Sequence, residues 1–281
     1  MTFYDKLFPD GLKDFYYENQ KDIKSIRVFS DEPWIPWEIL KPNRMSNGRT
    51  TEEEFLCEKH SFSRWVPDGP DDRIKENRQI KKIKVIVPFD TNLKNAKAER
   101  DWIKNEFGTK YGLDISVDEK YKEVVNTLEN GDFDILHFST HGRYDPINPL
   151  YSALKMEKGY EIRVDRIGGK AKNFGIYSPL VVLNACMTGS RGYSLTGIDS
   201  WATSFIKAGA CAFIGTMWSV HDKIASTFTK NLYEQLAKGE TLGQAVRISR
   251  NKCKQDGNPS WLSYQLYGHP NAKIKIGSLV Q

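Results

Sequence analysis

No apolar run in the 281 residues approaches the ~18 needed for a membrane-spanning helix, so no membrane partner is expected. The N-terminus, M-T-F-Y-D-K-L-F-P-D, lacks the basic start and apolar core of a secretory leader, and a cytoplasmic location is the expectation. Cysteine is scarce. The four present (Cys57, Cys186, Cys211, Cys253) include no C-x-x-C pair, so neither a zinc site nor a disulfide framework is indicated. No cofactor and no metal site are expected, and a reducing compartment keeps the thiols free. No Gly-rich phosphate loop follows any predicted strand, which argues against a nucleotide-binding domain. The net charge of +5 is mild. Much of the excess lies in D-R-I-K-E-N-R-Q-I-K-K-I-K (residues 72–84), which has no aromatic residue to stack on bases, so no direct nucleic-acid binding is expected. Internal repeats and low-complexity segments are also missing.

What remains is an ordinary globular composition, 39% hydrophobic and 27% charged, enough for one large α/β domain with an N-terminal annex. Residues 1–79 read as that annex: a helix, a strand K-S-I-R-V-F, a rigid corner at P-W-I-P-W-E (33–38), then a polar, irregular connection. That connection holds a possible strand at 62–66 and a turn at Pro67-Asp68-Gly69-Pro70. From residue 80 strands and helices alternate. Strands at 84–89, 113–117 and 132–141 enclose helices at 92–107 and 119–129, which predicts a mainly parallel sheet with helices on both faces. A hairpin at 152–156 and 161–164 is expected to lie on the sheet rather than within it. Beyond it come a strand at 180–186, a Gly- and Ser-rich loop at 189–197, and a helix at 198–208 that Gly209 ends. A strand at 211–218 follows, then helices at 223–238 and 241–253, the second capped by Thr241.

Two of these segments carry chemistry. D-F-D-I-L-H-F-S-T-H (132–141) and L-V-V-L-N-A-C (180–186) are each apolar enough on both faces for the middle of a parallel sheet. Each ends in a reactive side chain before a Gly-containing turn, and ligands of such sheets sit at the strands' carboxyl ends. If the two strands are parallel neighbours, His141 and Cys186 emerge together: a nucleophile beside its base. Gly142 lets a backbone N–H approach a substrate oxygen, and the N–H groups of Gly142 and Cys186 form a candidate oxyanion hole. His137, mid-strand, reads as a satisfied core histidine. Cys211 and Cys253 read as packing.

H-F-S-T-H-G, P-L-Y-S-A-L-K-M, L-V-V-L-N-A-C-M-T-G, F-I-K-A-G-A-C-A-F-I-G-T-M-W-S-V-H-D and W-L-S-Y-Q-L-Y-G-H-P, in that order, closely resemble the CHAT family. These are caspase-like cysteine peptidases of the clan that includes metacaspases and separase, and P-W-I-P-W-E resembles the family's upstream element. The resemblance implies a caspase-like sheet of about six strands over residues 80–281. It also implies peptide-bond hydrolysis through a thioester, with His141 as general base, Cys186 as nucleophile and no obligatory third residue. Metacaspase-like relatives carry an Asp two residues before the nucleophile to line the pocket for a basic P1 side chain; here Asn184 stands in that place. A basic preference would then need another carboxylate, and Asp222 is the nearest candidate. An Asp-specific pocket would need an arginine, and Arg143 and Arg191 merely follow the two catalytic motifs. Trp218, Ser219 and Val220 lie where such enzymes pair with substrate as an added strand. The expected role is a cysteine endopeptidase acting on a protein substrate, controlled by an activating protein or repeat domain, in bacterial defence, cell death or regulated processing. The alternative is a catalytically silent interaction module with the same fold.

Overall fold

The computed structural model describes residues 3–30, 32, 35–46, 49–66, 78–188, 195–254 and 258–277, without the side chains of 45, 46, 49, 186–188 and 195–199. Pro33 and Trp34 of the expected corner, the turn at 67–70, most of the basic run, the loop at 189–194 and Arg191 lie outside the described residues.

Ten strands form one sheet. In chain order they are β1 (Ser25–Phe29), β2 (Ser61–Trp65), β3 (Lys82–Ile86), β4 (Asp114–Asp118) and β5 (Ile135–Arg143), then β6 (Ala153–Lys155), β7 (Glu161–Arg163), β8 (Leu180–Thr188), β9 (Ala212–Thr216) and β10 (Tyr264–Tyr267). Eight run in the order β1-β2-β10-β9-β8-β5-β3-β4, parallel at every junction except β9 with β10. The expected caspase-like sheet is the run from β10 to β4. The segment expected to be an annex carries helix α1 (Asp10–Asn19) and adds β1 and β2 to that sheet's far edge.

Alternation along each strand splits the core in two. Ile135, Leu180, Val182 and Ile214 face one side, packed by helices α5 (Asp222–Ala237) and α6 (Leu242–Lys252) through residues such as Phe228, Leu232 and Leu242. Leu136, Phe138, Val181 and Leu183 face the other, packed by α3 (Tyr121–Asn130) through Val124 and Leu128 and by α4 (Leu195–Ala208) through Trp201 and Phe205. Each stripe follows helical spacing. Thr241 caps α6, its hydroxyl accepting from Gln244 N. Gly209 ends α4 at φ +118° against the backbone of Phe174 and Gly175, where a Cβ has no room.

The hairpin β6–β7 differs from expectation. β3 stops at Ile86 opposite Phe138, which leaves the last residues of β5 without a neighbour on that edge. β6 takes up part of that edge, pairing antiparallel with Gly142 and Arg143, so the hairpin is hydrogen-bonded into the sheet at its rim. The helix after β3, α2 (Lys94–Asp101), continues as a π turn at Trp102–Phe107 and ends at Gly112 with φ +60°.

Candidate active site

β5 and β8 are parallel neighbours in an unbroken register from Leu180↔Ile135 to Thr188↔Arg143, and within it Cys186 pairs with His141. Both sit at the carboxyl ends of central strands, the edge where parallel sheets bind ligands. Gly142, buried, pairs with Met187 on one side and Leu154 on the other.

His141 is half-buried, and its Nε2 lies 2.6 Å from Asn92 Oδ1, on the loop between β3 and α2. An amide oxygen only accepts, so the proton sits on Nε2 and Nδ1 is left as the basic nitrogen. Burial lowers the imidazole's pKa below its ordinary 6.5, and Lys155 lowers it further, while Asp222 acts in the opposite sense. The ring is therefore neutral near pH 7, as a general base must be. Asn92 was not found in the sequence: it lies 49 residues upstream in a polar loop, and nothing in its surroundings marks it.

One step deeper in the sheet, in register positions Asn184↔Ser139 and Val182↔His137, a buried polar network underlies this pair. His137 Nε2 is 2.8 Å from Glu99 Oε1, and its Nδ1 is 3.2 Å from the Tyr233 hydroxyl. Asn184 Nδ2 donates to Glu99 Oε1 (3.2 Å), Glu99 Oε2 (3.1 Å) and Thr229 Oγ1 (3.2 Å), while Asn184 Oδ1 accepts from Tyr264 OH (3.1 Å). His137 is thus the satisfied core histidine expected. Asn184, expected at a substrate pocket, is only 7% exposed and already bound on both ends of its amide to protein partners. Glu99, 1% exposed, brings a carboxylate beneath the site that the sequence did not single out.

Asp222, at the start of α5, accepts from Asn95 N (2.9 Å) and Asn95 Nδ2 (2.8 Å) with one carboxylate oxygen, pinning the first turn of α2 to α5 close to His141. Trp218 and Ser219 leave β9 beside the site. The Ser263 hydroxyl accepts from Trp218 N (3.2 Å) and donates to Trp218 O (3.0 Å); Ser219 is exposed and Val220 is buried in the core. Arg143 makes a two-pronged pair with Glu161, Nε to Oε1 at 3.0 Å and a terminal nitrogen to Oε2 at 2.9 Å, so it is committed to the hairpin. Cys57, Cys211 and Cys253 are buried, and burial pushes their thiols up to about 11, 11 and 12. Among the described residues no group of three or more His, Cys, Asp or Glu is placed to hold a metal ion, and no helix is long and apolar enough to cross a membrane.

Comparison with known proteins bears on the fold. The fold is similar to that of the Arg-specific cysteine proteinase gingipain R (TM-score 0.62, 13% identity, 95% of this chain and 67% of that one). It is also similar to a complex of the pro- and mature domains of Porphyromonas gingivalis RgpB (TM-score 0.57, 12% identity, 92% and 67%). The Saccharomyces cerevisiae separase–securin complex is a third likeness (TM-score 0.53, 15% identity), covering 90% of this chain and 16% of that one. A comparison with curated protein sequences finds no match. At these identities the likeness is one of fold, and it bears out a mainly parallel caspase-like sheet with helices on both faces. The family model for the CHAT domain matches residues 10–272, nearly the whole chain, which belongs to the CHAT domain family.

Proposed function

We propose that this chain is a cysteine endopeptidase in which Cys186 is the nucleophile and His141 its general base. The observation that carries the reading is the pairing of Cys186 with His141 at the carboxyl ends of adjacent central strands, with the His141 proton held on Nε2 by Asn92. In the proposed reaction the Cys186 thiol gives its proton to His141 Nδ1 as sulfur attacks the peptide carbonyl. The tetrahedral oxyanion is held by the N–H groups of Gly142 and Cys186. Collapse passes the proton from the imidazolium to the amine, which leaves; water, deprotonated by His141, then hydrolyses the thioester and restores the thiol.

The acyl half of the substrate is assigned to the β9 side. Ser219, the exposed residue of the Trp218–Val220 segment, is the proposed backbone partner. Asn184 and Glu99 form the floor beneath P1, and Asp222 is the carboxylate proposed to meet a basic P1 side chain. The substrate is a protein, and a partner or further domain is proposed to control turnover.

The test is cleavage of a diverse peptide library, read by mass spectrometry, with Cys186→Ala and His141→Ala alongside. Products that vanish in both variants support the dyad. The sequence preceding the cut reports P1, and a basic residue there points to Asp222. Selective alkylation of Cys186 near neutral pH, with the three buried thiols inert, supports the nucleophile independently. Products that persist in Cys186→Ala overturn it.

A further inference from the structure

A cavity of about 430 Å³ opens beside His141. Its walls come from the end of β5 (Thr140, His141), the loop leaving β3 (Pro88, Asn92) and the β6–β7 hairpin (Lys155, Tyr160). Among the described residues, none of those lining it comes from β8 or β9. Because β5 stands between β8 and β3, the cavity lies across the imidazole from the strand that carries Cys186. In the peptidase reading, the imidazolium hands its proton to the departing amine, whose nitrogen must come within a hydrogen bond of the ring. The acyl half is assigned to the β9 side, so the half that carries the amine is left the β3 and hairpin side.

We propose that this cavity is the subsite for the residue immediately following the scissile bond, and that it selects a long side chain ending in a carboxylate; the proposal rests on the peptidase reading. Pro88, Met156 and Tyr160, the last stacked on Tyr121 at 5.2 Å, supply apolar surface for the stem. The ionised groups around the cavity differ in what they have left to offer. Arg143 takes both carboxylate oxygens of Glu161. Asp90 accepts from Lys158 N at 2.8 Å, holding the hairpin turn against the β3 loop. Lys155 stands opposite Glu161 in the hairpin register and within reach of its charge, but makes no ion pair of its own among the described residues; its charge also reaches His141, whose protonation it opposes. An arriving carboxylate gains that ammonium, whereas an arriving Lys or Arg meets it as a like charge.

The experiment competes peptides that differ only after the scissile bond (Glu, Gln, Lys or Gly) against wild type, Lys155→Met and Lys155→Glu, reading relative kcat/KM by mass spectrometry. Wild type is expected to prefer Glu over Lys by about fivefold, the scale of a partly exposed ion pair. Lys155→Met should flatten the ratio and Lys155→Glu should invert it, with P1 ranking unchanged in all three. The same Glu-over-Lys ratio in all three proteins overturns the proposal. If wild type cuts no peptide, as the proposed control by a partner allows, the cavity is read separately. Fluorescent peptides beginning with Glu or Lys, mimics of the amine product, are then titrated by anisotropy. Tighter binding of the Glu peptide, lost in Lys155→Glu, supports the subsite, and equal binding of both overturns it.

Discussion

Asn92 stands to His141 as a positioning residue: it holds one ring nitrogen at 2.6 Å and so decides which nitrogen is basic. Removing it frees the ring to rotate and to exchange tautomers, errors of position that cost catalysis more than binding. Asn92→Ala is expected to lower kcat by about tenfold or more with KM little changed. Asn92→Asp should recover part of the loss while moving the acid limb of the pH profile upward, because a carboxylate beside the ring favours imidazolium. A merely structural role would show neither the rescue nor the shift, and both are read from pH–rate profiles. The adjacency of His141 and Cys186 was legible in the sequence because each lies near the end of an apolar strand, a local pattern, although both strands run two residues further than expected. Asn92, Glu99 and the committed state of Asn184 were not. Each depends on contacts between segments some 38 to 85 residues apart, which strand and helix periodicity does not encode.

At the scale of elements, the N-terminal segment is fastened by a buried ion pair. Arg64, on β2, donates through Nε to Glu38 Oε1 and through a terminal nitrogen to Oε2, both at 2.6 Å, and to Ile35 O at 2.7 Å; the two side chains are 6% and 1% exposed. Burial by itself would raise the Glu38 pKa, but Arg64 outweighs it and holds the carboxyl below its ordinary 4.5. A depressed folded-state value means the stabilisation is fully present above pH 4.5 and is lost as pH falls through the folded-state value. Glu38→Gln leaves the Arg64 charge buried without its counter-ion, a loss of about 3 kcal/mol. Urea unfolding at pH 7 should show that loss, and the gap between variant and wild type should narrow on acidification. An unchanged gap down to pH 3 would mean the pair contributes nothing through charge. β2 also shows why this half of the fold was hard to read. S-F-S-R-W is buried at every position, yet only Phe62 and Trp65 are apolar, because Ser63 and Arg64 are accommodated by small size and by pairing. A central strand without an apolar run offers no periodic signal.

At the scale of the whole molecule, the central sheet and its two cores run past the boundary suggested by composition near residue 80. β2 lies beside β10 and β1 beside β2, so the first 65 residues close an edge that β10 would otherwise present to solvent. Fully buried Arg250, on α6, binds both sides of that junction, donating to Cys57 O at 2.9 Å and to Tyr264 O. The α6 face that packs the core also meets β2, where Gly243 approaches Ser61. Cutting the chain at residue 80 would uncover the backbone edge of β10, take the Cys57 carbonyl from the buried Arg250 guanidinium and expose the apolar surface that Phe62 and Leu56 cover. An unpaired edge strand beside exposed apolar surface is a template for aggregation. A chain shortened to residues 80–281 is therefore expected to aggregate or remain unfolded, and the full chain to unfold in urea as one cooperative transition by both far-ultraviolet dichroism and tryptophan fluorescence. A soluble, monomeric 80–281 chain that retains Cys186 alkylation would show that the N-terminal strands are an addition to an independent domain. Two separated transitions in the full chain would show the same from the other direction. Continuity of the sheet from β1 to β4 predicts neither.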